Sequence, residues 1–237
     1  DGFISEKQPD DGRRQLTLES YQGKNYRAVE ILNEVLFAQR SGTLTIPSSE
    51  VGIRIPVEGD DDPFFSSATF VDRTLRSSPV TIQVRPLPTE GKPQDFSGAV
   101  GSFRMKAELL TKTPKTNESV TIRLTLEGTG NLKLASSPKI QFPESFEVYD
   151  PKETYEGHVT ATNVQGKKVI EYFAIPRRTG SVTVPPLTFS YFDPQKGRYE
   201  ILRSQSFSLQ VAQGKAEVSE EKGSLRQQEE SLRTLRS

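Results

Sequence analysis

Residues 117–130 read N-E-S-V-T-I-R-L-T-L-E-G-T-G, and their alternation decides the fold class. Val120, Ile122, Leu124 and Leu126 occupy every second place, with Thr121, Arg123, Thr125 and Glu127 between them. A period of two puts the apolar set on one face of a strand and the polar set on the other. The same alternation runs through Val51, Ile53, Ile55 and Val57, through Val80, Ile82 and Val84, and through Phe207, Leu209 and Val211. Residues 154–163 and 167–175 read as a hairpin closed by N-V-Q-G. A second hairpin has Leu187, Phe189 and Tyr191 before D-P-Q-K-G and Tyr199 and Ile201 after it, with Pro and Gly at the turn. Many short strands at turn-punctuated spacing predict an all-β chain built of tandem immunoglobulin-like β-sandwiches. The Cys–Trp–Cys core of antibody domains is missing, since the chain has neither Cys nor Trp.

Working outward, one pattern occurs twice. Residues 41–47 read S-G-T-L-T-I-P and residues 179–185 read T-G-S-V-T-V-P, and Arg40 and Arg178 stand two residues before the glycines. Downstream, R-S-S-P-V-T-I-Q-V ends at Val84 and R-S-Q-S-F-S-L-Q-V ends at Val211. A repeat on this scale predicts duplicated globular modules rather than a solenoid. Gly42 to Val84 spans 42 positions and Gly180 to Val211 spans 31, and the extra 11 coincide with the acidic E-G-D-D-D-P-F-F-S-S near residues 58–67. Surface loops absorb such insertions at small cost.

The stretch R-P-L-P-T-E-G-K-P-Q-D (85–95) has three prolines and a glycine in eleven residues and reads as a short, stiff linker. The expected organisation is a partial sandwich over 1–84, the linker 85–95, a complete sandwich over 96–211, and a polar tail over 212–237. Only 41 residues precede Gly42, whereas about 84 separate the linker from Gly180. The first module is therefore expected to be the C-terminal half of a sandwich, with an open strand edge, the alternative being a smaller variant of the module. In the tail, Leu225, Leu232 and Leu235 are spaced as in a weak amphipathic or coiled-coil helix, but the stripe covers barely two turns and a solvated stalk is the expected reading, with a helical tail as the alternative.

Bulk properties narrow the function classes. The chain has 237 residues and zero formal net charge, which gives nucleic-acid binding no electrostatic support. The absence of Cys excludes disulfides, thiolate metal sites and a Cys nucleophile. No apolar run reaches the ~18–20 residues of a membrane helix. His158 is the single histidine, no G-x-S-x-G elbow is present, and an exposed strand histidine is expected. G-T-G-N-L-K (128–133) lacks the G-K-[ST] of a phosphate loop and reads as a strand connection. Glu58, Asp60, Asp61 and Asp62 lack the spacing of a calcium loop, although one of these carboxylates could complete a metal site on a partner. Exposed aromatics of a sandwich stack on sugars, so a row of Tyr149, Tyr155, Tyr191 and Phe192 on one solvent face would favour a carbohydrate-binding module. Arg177 and Arg178 suit acidic partners or a turn cap.

Several stretches carry a family resemblance. L-P-T-E-G-K-P-Q-D-F-S-G-A-V-G-S-F (87–103), N-E-S-V-T-I-R-L-T-L-E-G-T-G-N-L-K-L (117–134), F-P-E-S-F-E-V-Y-D-P-K (142–152) and E-Y-F-A-I-P-R-R-T-G-S-V-T-V-P-P-L-T-F-S-Y-F-D-P (171–194) resemble the BatD oxygen-tolerance proteins of bacterial envelopes, most closely those of Bacteroidetes type. The resemblance implies a periplasmic string of immunoglobulin-like domains held to the inner membrane by a helix beyond the tail. It implies von Willebrand A-domain membrane proteins of the same operon as partners, with a MoxR-type ATPase encoded nearby. It brings no catalytic residues, no cofactor and no small-molecule substrate. The expectation is a non-enzymatic scaffold whose partner contacts fall on Asp60, Asp61 and Asp62, on Asn131 and Lys133, and on Arg177 and Arg178. A carbohydrate-binding or adhesive module is the alternative.

Overall fold

In the computed structural model, residues 2–8, 15–57 and 69–215 are described. The chain folds as two compact units that divide between Pro88 and Thr89, inside the proline-rich stretch. The acidic loop with Asp60, Asp61 and Asp62, and the tail beyond residue 215, lie outside the described residues.

Unit 1 contains β1 (Phe3–Lys7), β2 (Thr17–Tyr21), β3 (Lys24–Ala28), β4 (Glu34–Ala38), β5 (Gly42–Ile46), β6 (Glu50–Val57), β7 (Thr69–Arg76) and β8 (Val80–Val84). Among the described residues they pair only in twos, β1 with β4, β2 with β3, β5 with β8 and β6 with β7. Leu44 is the one apolar side chain of this unit that is buried among the described residues.

Unit 2 contains β9 (Ala99–Leu109), β10 (Val120–Gly130), a 3-10 turn (Leu132–Leu134), β11 (Phe146–Val148), β12 (Lys152–Val159), β13 (Val164–Pro176), β14 (Gly180–Val184), β15 (Thr188–Asp193), β16 (Arg198–Arg203) and β17 (Phe207–Val211). The large sheet runs β11-β13-β10-β9-β15-β16, with β12 beside β13, and β14 pairs with β17. The apolar set of β10 is wholly buried, as its alternation requires. It meets Ile170, Tyr172 and Ala174 of β13, Phe189 and Tyr191 of β15, and Val184, Leu209 and Val211 of the β14–β17 pair in one core. The unit is an all-β sandwich of immunoglobulin-like type.

One local expectation changes and another holds. The hairpin of β12 and β13 turns at Thr160–Asn163, not at N-V-Q-G: the Asn163 backbone N–H donates to the Thr160 hydroxyl at 3.1 Å, and the Thr160 N–H to the Asn163 carbonyl at 2.8 Å. Val164, wholly buried, already belongs to the strand. The D-P-Q-K-G hairpin forms as read and is held by Asp193, whose carboxylate accepts from the backbone N–H of Gln195 at 2.9 Å and of Lys196 at 3.2 Å. Burial pushes that carboxyl up, yet the two N–H donors and the Lys196 ammonium outweigh it and hold it below its ordinary value.

Candidate functional site

The end of the proline-rich stretch does not stand apart from unit 2. The Ser190 hydroxyl donates to the Asp95 carbonyl at 2.9 Å, and the Ser97 hydroxyl donates to the Ser190 carbonyl. The Ser136 backbone N–H donates to the Ser97 carbonyl at 2.8 Å. These bonds bring three distant stretches together around a groove of about 420 Å3, lined among others by Asp95, Ser97, Ser136, Lys139, Gln141 and Thr188. It is a part-open depression of mixed polar and apolar lining, with Phe96, Pro138 and Phe189 beside Lys139 and Asp95, and it has the concavity to receive a short loop.

The loop that forms one wall is fixed from several sides. Leu132 is wholly buried in the core. Asn131 accepts from the Val100 N–H at 2.6 Å and donates to the Gly98 carbonyl at 3.1 Å. The ammonium of Lys168, on the inward face of β13, donates to the Ala135 carbonyl at 2.9 Å and faces Glu153 at 3.3 Å. The Tyr172 hydroxyl donates to the Pro138 carbonyl at 2.6 Å, and burial pushes its pKa far up. Gly130 has φ +132°, and a Cβ there would stand 2.2 Å from the Val100 carbonyl oxygen. The glycines of G-T-G-N-L-K thus serve close backbone packing at a strand end, in line with the strand-connection reading.

The other expected contact residues are spread out. Asn131 spends its amide on the clamp just described. Lys133 is exposed, its ammonium 5.8 Å from the centre of the Tyr155 ring. Arg177 is exposed and engaged by Glu147 and by the Asn117 side-chain oxygen at 2.8 Å. Arg178 is exposed. His158 lies exposed on β12, as expected. No group of three or more His, Asp or Glu side chains that could hold a metal ion occurs among the described residues. The aromatic row is not there: Tyr191 and Phe192 are buried, Tyr155 packs against the core, and Tyr149 alone is exposed.

The outward face of the large sheet is paired with itself. Arg104, Glu127, Lys167 and Glu156 lie directly opposite one another across four strands, and so do Glu108, Arg123, Glu171 and Lys152. Arg104 meets Glu127 at 2.7 Å and Arg123 meets Glu171 at 2.6 Å. The Arg104 guanidinium holds the Glu127 carboxyl below its ordinary value. Sequence reading missed the groove and this ladder, although the alternation of charge along β10 and β13 was visible in the letters.

No helix among the described residues is long and apolar enough to cross a membrane. Neither the curated proteins nor the solved structures give a match to the chain. Residues 107–211 match the family model described as the BatD DUF11 like domain. That span runs from near the end of β9 to the end of β17 and contains the whole 128–138 loop. Residues 107–211 therefore form a domain of the BatD family.

Proposed function

We propose that the protein is a non-enzymatic scaffold that docks von Willebrand A-domain membrane proteins at the periplasmic face of the inner membrane. The observation that carries this reading is the groove where the Asp95–Ser97 segment meets the 128–138 loop. Its walls are tied down by backbone and side-chain hydrogen bonds, so a partner loop entering it meets a preorganised surface and little ordering entropy is lost. The family match supports an envelope setting, and the partner class follows from the resemblance of the chain to that family.

The test is a pull-down from membranes with the full-length protein, with and without divalent ions, and with Ser136→Arg in the groove. Recovery of von Willebrand A-domain proteins by the wild type and its loss in Ser136→Arg is the expected result. If no such protein is recovered, the scaffold reading falls. If Ser136→Arg recovers it unchanged, the partner binds elsewhere. Loss of recovery on chelation, repeated by Asp60, Asp61 and Asp62 changed to Asn, would assign the contact to the acidic loop instead. The carbohydrate reading needed a solvent-facing aromatic row, and the split of Tyr149 from Tyr191 and Phe192 removes its geometric support.

A further inference from the structure

The large sheet of unit 2 ends on a strand whose charges match a second copy of themselves. Among the described residues β12 pairs with β13 alone, and from Lys152 to Glu156 its side chains are exposed except for the half-buried Tyr155. An edge of this kind presents backbone donors and acceptors to an incoming extended strand. Its phase follows from the hairpin turn. The Thr160 N–H donates to the Asn163 carbonyl at 2.8 Å, and the pairing of β12 with β13 runs on from there without a bulge. Backbone groups alternate in direction along an antiparallel strand. The even-numbered residues of β12 therefore aim theirs at β13, and the odd-numbered residues aim theirs away.

The outward side chains decide what the edge accepts. Three neighbouring rows cross the sheet from β9 to β12. One runs Glu108, Arg123, Glu171, Lys152, the next Lys106, Thr125, Val169, Thr154, and the third Arg104, Glu127, Lys167, Glu156. The first row ends at the edge on a cation and the third on an anion, with the short Thr154 between them. Charges on an edge strand ordinarily turn other strands away. Here they exclude every copy-to-copy register but one. A two-fold axis normal to the sheet keeps outward side chains outward, so an antiparallel pair of identical strands is centred on a single residue. Centring on Lys152, Glu153 or Glu156 sets that residue against its own like charge. Centring on Tyr155 sets Lys152 against His158. Centring on Thr154 sets Lys152 of each copy against Glu156 of the other. The first row then continues into the second copy's third row, and the signs alternate without a break from Glu108 to the second copy's Arg104.

We propose that β12 is a self-association edge, at which a second copy of this chain adds its own β12 antiparallel and centred on Thr154. The two large sheets become one. Backbone hydrogen bonds join the odd-numbered residues of the two strands, and an ion pair between Lys152 and Glu156 stands on each side of the axis. The ladder that makes the broad face a poor contact thus supplies recognition at its edge. Backbone pairing contributes the attraction, and the order of charges selects the partner and the register. The groove beside the 128–138 loop is then carried twice in one assembly.

The experiment is sedimentation velocity on this chain, wild type and variants, at ~10–500 μM. The wild type should show a monomer–dimer equilibrium with a Kd of ~10–100 μM, as befits a small, transient interface. Lys152→Glu and Glu156→Lys should each weaken it ~10-fold or more, because both contacts about the axis become like-charged. An equimolar mixture of the two variants should recover the dimer, since each brings the charge the other lacks. The chain has no cysteine, so Thr154→Cys supplies a single thiol on the axis. Residues facing each other in an antiparallel pair have Cα atoms ~4.5–5.5 Å apart, within reach of a disulfide. Air oxidation should therefore join two copies of Thr154→Cys, whereas Glu156→Cys should stay unjoined. A wild type that remains monomeric over the whole concentration range overturns the proposal. So does a dimer indifferent to both charge reversals, or a mixture as weak as its components. A dimer that is not joined through Thr154→Cys, or is joined equally through Glu156→Cys, overturns it as well, because the contact then lies elsewhere.

Discussion

Lys168→Met tests whether polar anchors hold the wall of the groove. Lys168 lies on the inward face of β13, its side chain 9% exposed, with its ammonium on the Ala135 carbonyl at 2.9 Å. Methionine keeps the apolar stem and removes only the charge. A hydrogen bond from a charged donor contributes ~1.5–3 kcal/mol, and an orphaned buried carbonyl costs ~1–3 kcal/mol. Against this stands the relief of desolvating the ammonium, several kcal/mol before pairing is counted. Glu153 is 39% exposed and turns to water once its partner is gone. The net expectation is a loss of ~1–2 kcal/mol, with a fall of several °C in the melting of unit 2. Exchange of the Leu134, Ala135 and Ser136 amides should accelerate more than that of β10. Tyr172→Phe removes the second anchor, the 2.6 Å bond to Pro138, and should cost ~1 kcal/mol. Both changes free the same loop, so the double variant should lose less than the sum by ~0.5 kcal/mol or more. Lys168→Met as stable as the wild type, with unchanged loop exchange, would refute the anchoring argument and assign the loop's fixity to Leu132 alone.

Three further outcomes are expected. Leu124→Ala should destabilise unit 2 by ~2–5 kcal/mol in chemical denaturation, with Thr125→Ala on the opposite face within ~0.5 kcal/mol of the wild type. Gly130→Ala places a Cβ 2.2 Å from the Val100 oxygen at φ +132° and should cost more than ~2 kcal/mol or abolish folding of unit 2, read by circular dichroism and melting. The carboxyls of Glu127, Glu147 and Glu200 are held low first by Arg104, Arg177 and Arg198, and that of Asp193 lies low as well. Folded values below the unfolded ones mean stability that is present above the ordinary carboxylate range and lost as pH falls through the folded values. Melting temperature should therefore hold steady from pH 8 to about 5 and drop below about 4, and Arg104→Gln should make the drop shallower.

The letters of residues 117–130 disclosed β10 because a half-buried antiparallel strand writes its two faces as alternation. The same rule pointed at Lys168 without naming it. Lys167 and Lys168 are neighbours in a strand, so one of them has to face inward, and only the fold shows that the Ala135 carbonyl waits there. The turn of the β12–β13 hairpin was misplaced because glycine normally marks turns, whereas here the Thr160 hydroxyl and Asn163 close it and Gly166 packs against Tyr155. Tyr191 and Phe192 are adjacent, so their side chains point to opposite faces of β15. Both are buried because Tyr199 covers the second face, its ring 5.2 Å from that of Phe192. The groove was illegible because its walls meet through the parallel contact of β9 with β15, at Ala99–Tyr191 and Val100–Phe192, which no local pattern encodes.

The charge ladder on the large sheet bears on where a partner gains most. A face whose rows alternate in sign across four strands answers its own charges, as Arg123 does with Glu171 and Arg104 with Glu127. A protein laid on it must desolvate ions already paired and finds no apolar area in exchange, so the free energy of association there is small. Loops at the ends of the sheets remain. Among them the 128–138 loop is the one fixed by Asn131, Lys168 and Tyr172 before any partner arrives. Immobilising a loop in advance moves its ordering cost from association into folding, which is why the groove beside it, rather than the broad face of the sheet, is the place to look for the proposed partner contact.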